Sequence, residues 1–481
     1  MNNESKKPFY ITTTLPYVNA ELHMGHALEF IRADAIARYK ELMGFDVFFN
    51  SGTDEHGSKI YKKAEEEGKE VKQFVDENVK KFYESVKIFG LKSGVHFIRT
   101  TDDAHIKAAE AFWKTVDSNG YIYKKNYQTK YCVGCESEKT ESELVDGKCP
   151  EHGTVPELID EENYFFKYSH FTKPLLDFYE KNPHFVVPEF RFNEMKAFVE
   201  RGLEDISISR KKEKMSWGIP VPGDDGHVMY VWFDALTNYI ATLGWPDEDG
   251  DFKKYWVNGT PTQYCGKDNT RFQSVLWQAM LMAAGLPNSH QIIINGFIVA
   301  EGGVKMSKTI GNVVNPRDIA RDYGTEALRF FLLAEVANFE DSPFTTSRFR
   351  DAYNSKLANG LGNLTSRIMK MAVTNLTEWP EVSETSIPDE WKERMEAFDI
   401  KGAMDNIFRH VGELDLIIQS KEPFKMVKIE KEKALAIMSD LVVRLHTIAS
   451  MLNPFMPETS RQIKEIIKSR NMPGPLFLRK E

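Results

Sequence analysis

Apolar residues near the amino terminus follow in turn the repeats of a strand, a helix and a second strand. Residues 9–14 form an apolar and β-branched run, which predicts a buried strand. The apolar period becomes helical from about residue 23 to 43, and Gly44 ends that helix. Residues 46–50 then predict the next strand. A strand–helix–strand opening of this kind is typical of a parallel α/β sheet.

The alternation of predicted strands and helices is interrupted between about residues 121 and 222, where short segments and proline-marked turns replace it. Residues 228–233 predict the beginning of a strand, and the alternation resumes through residues 291–294. Beyond about Thr346 the pattern is almost entirely amphipathic helix, as in residues 434–451. We therefore predict the α/β class, with a Rossmann-type parallel sheet split by an inserted domain and followed by an all-α helical bundle.

Composition and charge narrow the class of protein. The chain has 481 residues, 42% of them hydrophobic, which is enough for about two to four packed domains. It has no run of about 18 apolar residues and its start is polar, so we expect no membrane span, no secretory signal and a cytoplasmic protein. The net charge of −9 argues against binding nucleic acid by bulk charge. The excess acid lies before Thr346, so an RNA partner is expected to meet mainly the C-terminal part.

Three of the four cysteines fall close together and are followed by a histidine. Cys132, Cys135, Cys149 and His152 form the pattern C-x2-C-x13-C-x2-H, which is typical of a closed tetrahedral metal site. Thiolate and imidazole ligands without a carboxylate favour zinc over calcium or magnesium. We predict one structural zinc ion; the alternative is three ordinary cysteines and an unrelated histidine. Cys265 stands apart, and we expect it to be buried and inert.

His23, Gly25 and His26 stand where the first predicted strand passes into the first helix. Two imidazoles three residues apart lie on one face of a helix start. The unpaired amides and positive dipole end suit a polyphosphate, and glycine lets a base or ribose approach the backbone closely. Judged alone, the same pattern also fits two surface histidines.

A second motif reads Lys305-Met306-Ser307-Lys308-Thr309 and follows two neighbouring glycines. Two lysines on a glycine-flanked loop can close over phosphates and neutralise charge that develops there. Judged alone, this segment also fits a solvated loop.

Together, and in this order, the two motifs resemble the HIGH and KMSKS signatures of class I aminoacyl-tRNA synthetases. The resemblance implies that His23, His26 and Lys308, supported by Lys305, hold ATP and stabilise the attack of an amino-acid carboxylate on the α-phosphate. Mg²⁺ is expected to accompany ATP, and catalysis to depend on positioning and charge stabilisation. Thr309 replaces the usual serine of the signature and keeps a hydroxyl.

Further segments are similar to methionyl-tRNA synthetases from about residue 9 to 454. They lie at 14–19 (TLPYVN), 52–57 (GTDEHG), 217–222 (WGIPVP), 230–235 (YVWFDA) and 266–268 (GKD). This similarity implies L-methionine, ATP and tRNA(Met) as partners. It also implies a catalytic domain in two halves at 1–116 and 226–300, an inserted connective-peptide domain with a zinc knuckle at 117–225, the KMSKS loop and stem-contact region at 301–346, and a helical anticodon-binding domain at 347–481.

The resemblance implies a methionine pocket whose chemistry suits these side chains. A thioether is polarizable and favours aromatic edges, which Tyr17, Trp232 and Tyr239 supply. Asp54, placed after a predicted strand, suits the substrate ammonium. Judged singly, the aromatic residues also fit an ordinary core and Asp54 a solvated loop. The remaining residues that similarity assigns to the pocket are Leu15, Ala235 and Gln273.

Two positions near this pocket depart from the family pattern. Gln273 stands where many relatives have histidine, and its amide can still donate and accept hydrogen bonds. Asn269 stands where relatives often have an apolar residue. Asp268 resembles the family's ribose-contacting carboxylate and joins Gly25, the two histidines and the two lysines in the implied ATP-binding set.

Asn359, Asn363 and Arg367 follow one another at i, i+4 and i+8, which predicts a polar stripe on a helix. Judged alone, this stripe fits a solvated face. The stretch resembles the family's anticodon-reading helix, and single-stranded bases expose edges that such side chains can reach. Phe424 follows a proline where the family often has tryptophan, and it can still stack on a base. No additional C-terminal domain is visible, and we expect a monomer.

Other interpretations are open at this stage. A class I synthetase for leucine, isoleucine or valine would carry large editing insertions, for which the chain is too short. A cysteine enzyme would hold zinc close to the HxGH motif, whereas the cluster lies in the insertion. A non-catalytic tRNA-binding relative would be expected to lose a signature. A small-molecule adenylyltransferase would leave the helical bundle unexplained.

Overall fold

The structure, a computed structural model, describes residues 6–19, 21–135, 137–303, 314–383, 387–472 and 474–481. Its strands are β1 (Pro8–Thr13), β2 (Asp46–Thr53), β3 (His96–Arg99), β4 (Ile122–Cys132), β5 (Ser137–Lys139), β6 (Glu157–Phe166), β7 (Val186–Val187), β8 (Ile206–Ser207), β9 (Ser209–Lys211), β10 (Pro220–Val221), β11 (Asp224–Met229), β12 (Thr260–Gly266), β13 (Gln291–Asn295), β14 (Ile298–Val299) and β15 (Ser342–Pro343).

The α-helices are α1 (Met24–Leu42), α2 (Ser58–Glu66), α3 (Val71–Ile88), α4 (Asp103–Ser118), α5 (Thr172–Lys181), α6 (Glu189–Glu200), α7 (Val231–Ala235), α8 (Asn238–Ala241), α9 (Trp277–Ala284), α10 (Pro316–Tyr323), α11 (Thr325–Ala334), α12 (Thr346–Ala352), α13 (Asn363–Asn375), α14 (Asp389–Glu396), α15 (Ile400–Lys421), α16 (Pro423–Met426), α17 (Lys431–Leu452) and α18 (Pro457–Ser469). Short π-helical stretches occur at Phe252–Val257, Phe272–Leu276 and Tyr353–Gly362.

The chain folds as two compact units. The first contains the chain up to Leu22 together with Phe45–Glu84 and Ser93–Ile294. The second contains His23–Gly44, Ser85–Lys92 and Asn295–Glu481. The predicted strand–helix–strand opening is present as β1, α1 and β2. Its two strands belong to the first unit and its helix to the second.

A six-stranded sheet in the order β3-β2-β1-β12-β13-β7 is the framework of the first unit. β1 pairs in parallel with β2 on one side and with β12 on the other, so the predicted parallel sheet is confirmed. Tyr10, Ile11 and Ile293 are fully buried, as expected for strands of such a sheet. The chain order of the strands reverses between β1 and β12, and a reversal of this kind creates a crevice at the carboxyl ends of the strands.

Between β3 and β12 the chain builds two small antiparallel sheets, in agreement with the interrupted pattern of the sequence. One has the order β5-β4-β6-β8, and β4 pairs with β6 from Ile122 opposite Phe166 to Tyr131 opposite Glu157. The other has the order β10-β11-β9. The parallel sheet is therefore split by an insertion, as predicted.

One element differs from its prediction. The run at residues 228–233 was expected to begin a strand, but β11 ends at Met229 and α7 begins at Val231. The reason is that Val231, Phe233 and Asp234 are all buried, so α7 has little exposed face to give a helical period. An apolar run of this length does not distinguish a buried strand from a buried helical turn.

Helices dominate the second unit, as the amphipathic pattern beyond Thr346 predicts. α13, α15, α17 and α18 pack around apolar side chains such as Ile368, Ile407 and Leu441. Among the described helices, α17 is long and apolar enough to cross a membrane by length and composition, and more than half of its apolar window is buried within the protein. That burial is typical of the central helix of a bundle.

A buried ion pair anchors α1 within the second unit. Asp34 on α1 and Arg329 on α11 are both fully buried, and their side chains meet at 2.7 Å. The carboxylate also accepts hydrogen bonds from Nε of Arg38 and from the backbone N–H of Lys92, each at 2.7 Å. Arg329 donates further to the backbone carbonyl of Phe455 at 2.7 Å. Each charged group therefore has an opposite charge and hydrogen bonds in place of water. Without them, burying the charge would cost free energy.

Arg32, two residues before Asp34, holds the chain that leaves α11. Its fully buried guanidinium donates to the carbonyl oxygens of Val336, Ala337 and Asn338 at 2.8 to 2.9 Å. A cation just beyond a helix C-terminus is favoured by carbonyl groups that lack helical partners. α1 and α11 are therefore connected by two buried arginines.

We expect Asp34→Asn to lower the free energy of unfolding by about 3–5 kcal/mol, because Arg329 would stay buried without its counter-ion. Chemical denaturation followed by far-UV circular dichroism measures the change. The control Asp318→Asn removes an exposed carboxylate paired with Arg321 and should cost less than about 1 kcal/mol. Equal losses in the two variants would contradict the role given to the buried pair.

Candidate active site and metal centre

The segments that follow β1 and β2 are hydrogen-bonded to each other at the carboxyl end of the sheet. The N–H of Asp54 donates to the carbonyl of Pro16 at 3.0 Å, and the N–H of Val18 donates to the carbonyl of Asp54 at 3.3 Å. Tyr17 and Asp54 thereby form a parallel bridge beyond the strands. Two residues predicted for the methionine pocket are neighbours in the folded unit.

The carboxylate of Asp54 belongs to a buried residue, only 2% exposed, and not to a solvated loop. Its Oδ1 accepts from the backbone N–H of His56 at 3.4 Å. A carboxylate in such surroundings attracts an ammonium group more strongly than an exposed one, because solvent screens the attraction less. Leu15, on the same turn as Tyr17, is half-buried and packs against the core of the unit.

An aromatic pair forms one surface of this region. Trp232 on α7 stacks on Phe272, with ring centroids 3.6 Å apart and planes 7° from parallel. The indole Nε1 of Trp232 is buried and has no hydrogen-bond partner in the described part of the chain. Ala235 is buried on the same short helix, and Tyr17 and Trp232 both pack against a small cluster that includes Tyr230 and Val231. A flat, polarizable surface of this kind suits a thioether side chain.

Gln273 is buried and contacts another predicted pocket residue directly. Its Nε2 donates to the hydroxyl of Tyr239 at 2.5 Å, and its Oε1 accepts from Nε2 of Gln263. The backbone carbonyl of Tyr239 accepts from the hydroxyl of Tyr10 at 2.9 Å. The amide at position 273 therefore orients the phenol of Tyr239.

The same chain of hydrogen bonds continues from Gln263 to two further buried residues. The hydroxyl of Ser289 donates to Oε1 of Gln263 at 2.5 Å, and Nε2 of Gln278 donates to Oγ of Ser289 at 3.1 Å. Oε1 of Gln278 accepts from the backbone N–H of Ser289 at 3.1 Å, so a backbone group fixes the direction of donation. A buried network that is satisfied at each step holds Gln273 in one orientation.

Asp268 lies in the 3₁₀ turn Lys267–Asn269 that directly follows β12. β12 is the neighbour of β1 across the reversal in strand order. This position, at the carboxyl end of a strand beside the reversal, is where open α/β sheets bind nucleotides. Nδ2 of Asn269 donates to Oδ1 of Asp268 at 3.2 Å, so the residue that departs from the family pattern supports the carboxylate.

The two histidines of the HxGH motif cap the N-terminus of α1 in the second unit. Nδ1 of His23 accepts from the N–H of Gly25 at 3.1 Å, and the N–H of His23 donates to Nδ1 of His26 at 3.3 Å. The two rings stack with centroids 3.8 Å apart. A Cβ at position 25 would lie 2.9 Å from Cε1 of His23, so a side chain there would displace the imidazole.

His26 is a neutral imidazole at pH 7. Desolvation by burial, followed by the charge of His23, lowers the pKa of His26 well below its ordinary value. Because Nδ1 of His26 accepts the hydrogen bond from His23, the ring proton lies on Nε2. His26 can therefore offer a neutral N–H donor to a phosphate oxygen at the positive end of the helix.

The lysine-bearing motif lies outside the described residues, which stop at Gly303 and resume at Val314. Lys305 and Lys308, with the residues between them and Thr309, are therefore known from the sequence alone. Their assignment to ATP stays a prediction.

The four predicted metal ligands converge in the inserted domain. Sγ of Cys135 lies 3.5 Å from Sγ of Cys149 and 3.3 Å from Nδ1 of His152. That nitrogen lies 3.9 Å from Sγ of Cys132 and 3.8 Å from Sγ of Cys149. All four ligand atoms lie within 4.8 Å of one another. Ligands about 2.3 Å from a tetrahedral zinc ion are about 3.8 Å apart, so this donor set fits zinc.

Gly134, between the first two cysteines, allows His152 to approach. A Cβ at position 134 would lie 2.5 Å from ring carbons of His152. Burial raises the pKa of the Cys149 thiol, but hydrogen bonds from the backbone of His152 and Glu151 outweigh it, and the pKa is lowered. The local backbone therefore favours the thiolate form of Cys149, whereas burial and the hydrogen bond to Cys149 raise the pKa of Cys135 to about 12. Cys265 is buried and forms no disulfide, as expected.

The residues predicted to read the anticodon lie in the second unit. Asn359 and Asn363 are exposed on the helical stretch made by Tyr353–Gly362 and α13. Arg367 is one-third exposed and forms an ion pair with Asp415 of α15. Phe424 on α16 is 44% exposed. Asn359 lies in a π-helical stretch, whose wider turn departs from the regular α-helical stripe that the spacing predicts.

Sequence reasoning missed several residues around the pocket. Phe272 is the ring that stacks on Trp232. The sequence feature that could have indicated it is an aromatic residue directly before Gln273. No pattern in the sequence singles out Gln263, because its contact with Gln273 depends on how β12 meets the helix that follows. His56 and Asp234 occur within the matching segments, but nothing in the sequence joins them.

Comparison with known proteins agrees with this architecture. The profile of the family described as tRNA synthetases class I (M) matches residues 9–155 and 135–369. These ranges span most of the chain, including the parallel sheet, the HxGH helix and the cysteine cluster. The class indicated by the two motifs is therefore the class I tRNA synthetases.

Relatives and solved structures indicate which family of class I synthetases the chain belongs to. The methionine–tRNA ligase of Caldanaerobacter subterraneus subsp. tengcongensis is 40% identical over 479 residues, covering 96% of this chain and 74% of the relative. That of Brucella suis is 36% identical over 480 residues, covering 96% and 92%. The structure of Mycobacterium tuberculosis methionyl-tRNA synthetase in complex with methionyl-adenylate matches with a TM-score of 0.90 at 34% identity, covering 99% of both chains. The chain belongs to the methionine–tRNA ligase family.

We expect Gly134→Ala to abolish high-affinity zinc binding, because the added Cβ would displace His152 from the cluster. Metal content after gel filtration, measured by mass spectrometry, should fall from about one zinc per chain to less than about 0.2. The control Gly412→Ala adds a methyl group with no atom within 4 Å and should keep its zinc. Full zinc content in the Gly134 variant would contradict the assigned geometry.

Proposed function

We propose that this chain catalyses the ATP-dependent activation of L-methionine and its transfer to the 3' end of tRNA(Met). The observation that carries the proposal is similarity to methionine–tRNA ligases along 96% of the chain. An HxGH cap on α1 and a buried carboxylate beside an aromatic surface supply chemistry that suits the reaction. A structure at 34% identity is described as a complex with methionyl-adenylate, the intermediate of that reaction.

The reaction has two steps. In the first, the carboxylate of methionine attacks the α-phosphate of ATP, and pyrophosphate leaves in line. In the second, a hydroxyl at the 3' end of the tRNA attacks the acyl carbon of the adenylate, and AMP leaves. Neither step needs a covalent bond to the protein. The protein positions the reactants and stabilises the charge that develops on the phosphate.

Methionine is assigned to the pocket of the first unit. Asp54 accepts the substrate ammonium, and Trp232 and Tyr17 contact the thioether chain. Gln273 orients the hydroxyl of Tyr239 through the hydrogen bond at 2.5 Å. Leu15 and Ala235 complete the apolar lining.

Similarity to class I synthetases assigns ATP to His23, Gly25, His26, Asp268, Lys305 and Lys308. His23 and His26 contact the phosphates at the positive end of α1, and Gly25 keeps the backbone accessible. Lys305 and Lys308 offset the charge of the departing pyrophosphate. Asp268 accepts hydrogen bonds from the ribose hydroxyls. Mg²⁺ bound to ATP would add charge neutralisation.

One zinc ion is assigned to Cys132, Cys135, Cys149 and His152. With four protein ligands the ion has no open position, so it stabilises the inserted domain and takes no part in catalysis. The division of the chain at 1–116, 117–225, 226–300, 301–346 and 347–481, the monomeric state and the cytoplasmic location belong to the same proposal.

The anticodon CAU is assigned to Asn359, Asn363, Arg367 and Phe424 in the helical unit. Amide and guanidinium groups can bind the edges of unstacked bases, and an exposed phenyl ring can stack on one of them. The pairing of Arg367 with Asp415 means that a base must compete with a carboxylate for this guanidinium. Such competition favours ligands with strong acceptors at the right position.

The direct test of the proposed reaction is ATP–pyrophosphate exchange with each of the twenty amino acids. Only methionine should support rapid exchange. Lys308→Ala should lower this exchange by about 10²–10³-fold, because a charge that stabilises the transition state is lost. Exchange with leucine, isoleucine, valine or cysteine at the rate of methionine would overturn the amino-acid assignment, and normal exchange by the variant would overturn the role of Lys308.

Asn363→Ala should slow charging of tRNA(Met) by at least about tenfold and leave pyrophosphate exchange unchanged, because a base contact is lost while no residue assigned to methionine or ATP is changed. Thr374→Ala is the matched control on α13, where the hydroxyl of the exposed threonine donates to the carbonyl of Lys370. It should charge tRNA normally. Equal loss in the exchange and charging assays of Asn363→Ala would contradict the anticodon assignment.

A further inference from the structure

A buried carboxylate in the first unit joins two imidazoles that the proposed reaction does not use. Asp234 on α7 is fully buried, and its Oδ2 lies 2.7 Å from Nδ1 of His56. Its Oδ1 lies 2.6 Å from Nε2 of His105. His56 follows β2 and His105 is on α4, so three separate segments of the chain meet at one carboxylate.

The hydrogen bonds of this cluster have a definite direction. Nδ1 of His105 is buried and has no partner within the described ranges, so the ring proton lies on Nε2 and points to Asp234. Burial raises the pKa of the Asp234 carboxyl, but His56 and His105 outweigh it and lower the pKa to about 2. The carboxylate is therefore ionised at neutral pH and accepts from both imidazoles.

His56 connects this carboxylate to Asp54. The backbone N–H of His56 donates to Oδ1 of Asp54 at 3.4 Å. Because the ring and this N–H belong to the same residue, a displacement of the ring can move the backbone that carries the N–H. The ring is held by Asp234 and lies against Trp217, with centroids 5.6 Å apart. Asp234 is thus linked to Asp54 through a single residue.

The residue between them is fixed independently. Glu55 is fully buried and accepts from Nε and Nη2 of Arg99 at 2.7 and 2.9 Å. Its backbone carbonyl accepts from Nε1 of Trp217 at 2.6 Å. With Glu55 held in this way and the backbone of Asp54 bridged to Tyr17, Asp234 fixes the third residue of the segment, His56.

We propose that Asp234 is a positioning residue for methionine binding: by holding the ring of His56 within a frame set by His105, it fixes Asp54 for the substrate ammonium. The inference rests on the proposed function, in which Asp54 binds that ammonium. Apolar side chains would pack α4 against α7 at least as stably as a buried charge. We therefore infer that this polar cluster affects the orientation of His56 more than the stability of the fold.

The test measures how much the substrate ammonium still contributes to binding affinity in each variant. Three ligands are used: L-methionine, L-methioninol, which keeps the ammonium and lacks the carboxylate, and 4-(methylthio)butanoate, which lacks the ammonium. The KM of methionine and the inhibition constants of the other two come from pyrophosphate exchange. In Asp234→Asn, methionine and methioninol should weaken about tenfold and the des-amino acid less than about twofold, because a displaced Asp54 affects the ammonium alone. The kcat at saturating methionine and the KM of ATP should change less than about threefold.

Conservative variants distinguish an effect on the position of Asp54 from an effect on folding. His56→Asn keeps a donor near the position of Nδ1 and should bind methionine within about threefold of the wild type, whereas His56→Ala should resemble Asp234→Asn. Asp224→Asn is the matched control, since Asp224 also accepts from a histidine, His227, at 3.0 Å on β11. All three ligands should bind that control as they bind the wild type.

Two results would overturn the proposal. One is an equal weakening of all three ligands in both Asp234→Asn and His56→Ala. The other is unchanged binding in these variants. Asp54→Asn distinguishes failure of the pocket assignment: if it weakens the des-amino acid as much as methionine, Asp54 does not bind the ammonium, and the proposed pocket itself is wrong.

Discussion

The crevice of the first unit exists because β1 and β12 lie side by side in parallel while the chain leaves them toward opposite edges of the sheet. A reversal of this kind leaves a gap at the carboxyl ends of the two strands. The turn after β1 carries Leu15 and Tyr17, and the turn after β12 carries Asp268. These two turns lie beside each other because of that single parallel pairing.

Around this crevice, two groups of buried polar side chains are joined by hydrogen bonds. One group runs from Gln278 to Tyr239, and another joins Asp234 to His56 and His105. In surroundings of low dielectric constant, a satisfied hydrogen bond is stronger and an unsatisfied group is costly. Such groups therefore hold one geometry before a ligand arrives, which reduces the ordering that binding would otherwise require.

Local patterns predicted a large part of the fold and the site. The strand–helix–strand opening, the insertion, the helical bundle and the convergence of Cys132, Cys135, Cys149 and His152 all depend on residues close in sequence or on simple periods. The helix at Val231–Ala235 was missed because burial on all sides removes its period. The contacts of His56 with Asp234, and of Gln263 with Gln273, were out of reach because they depend on tertiary packing, which no spacing in the sequence encodes.

The central strand pair also sets the order in which the chain can assemble during synthesis. Phe9 pairs with Thr260, so β1 leaves the ribosome long before its neighbour on one side has been made. The hairpin of β4 and β6 lies between them and joins residues much closer in sequence, so it can close first. Until β12 emerges, β1 exposes an unpaired edge, a surface that chaperones and aggregation both recognise. Any pause in translation before β12 has left the ribosome would prolong that exposure.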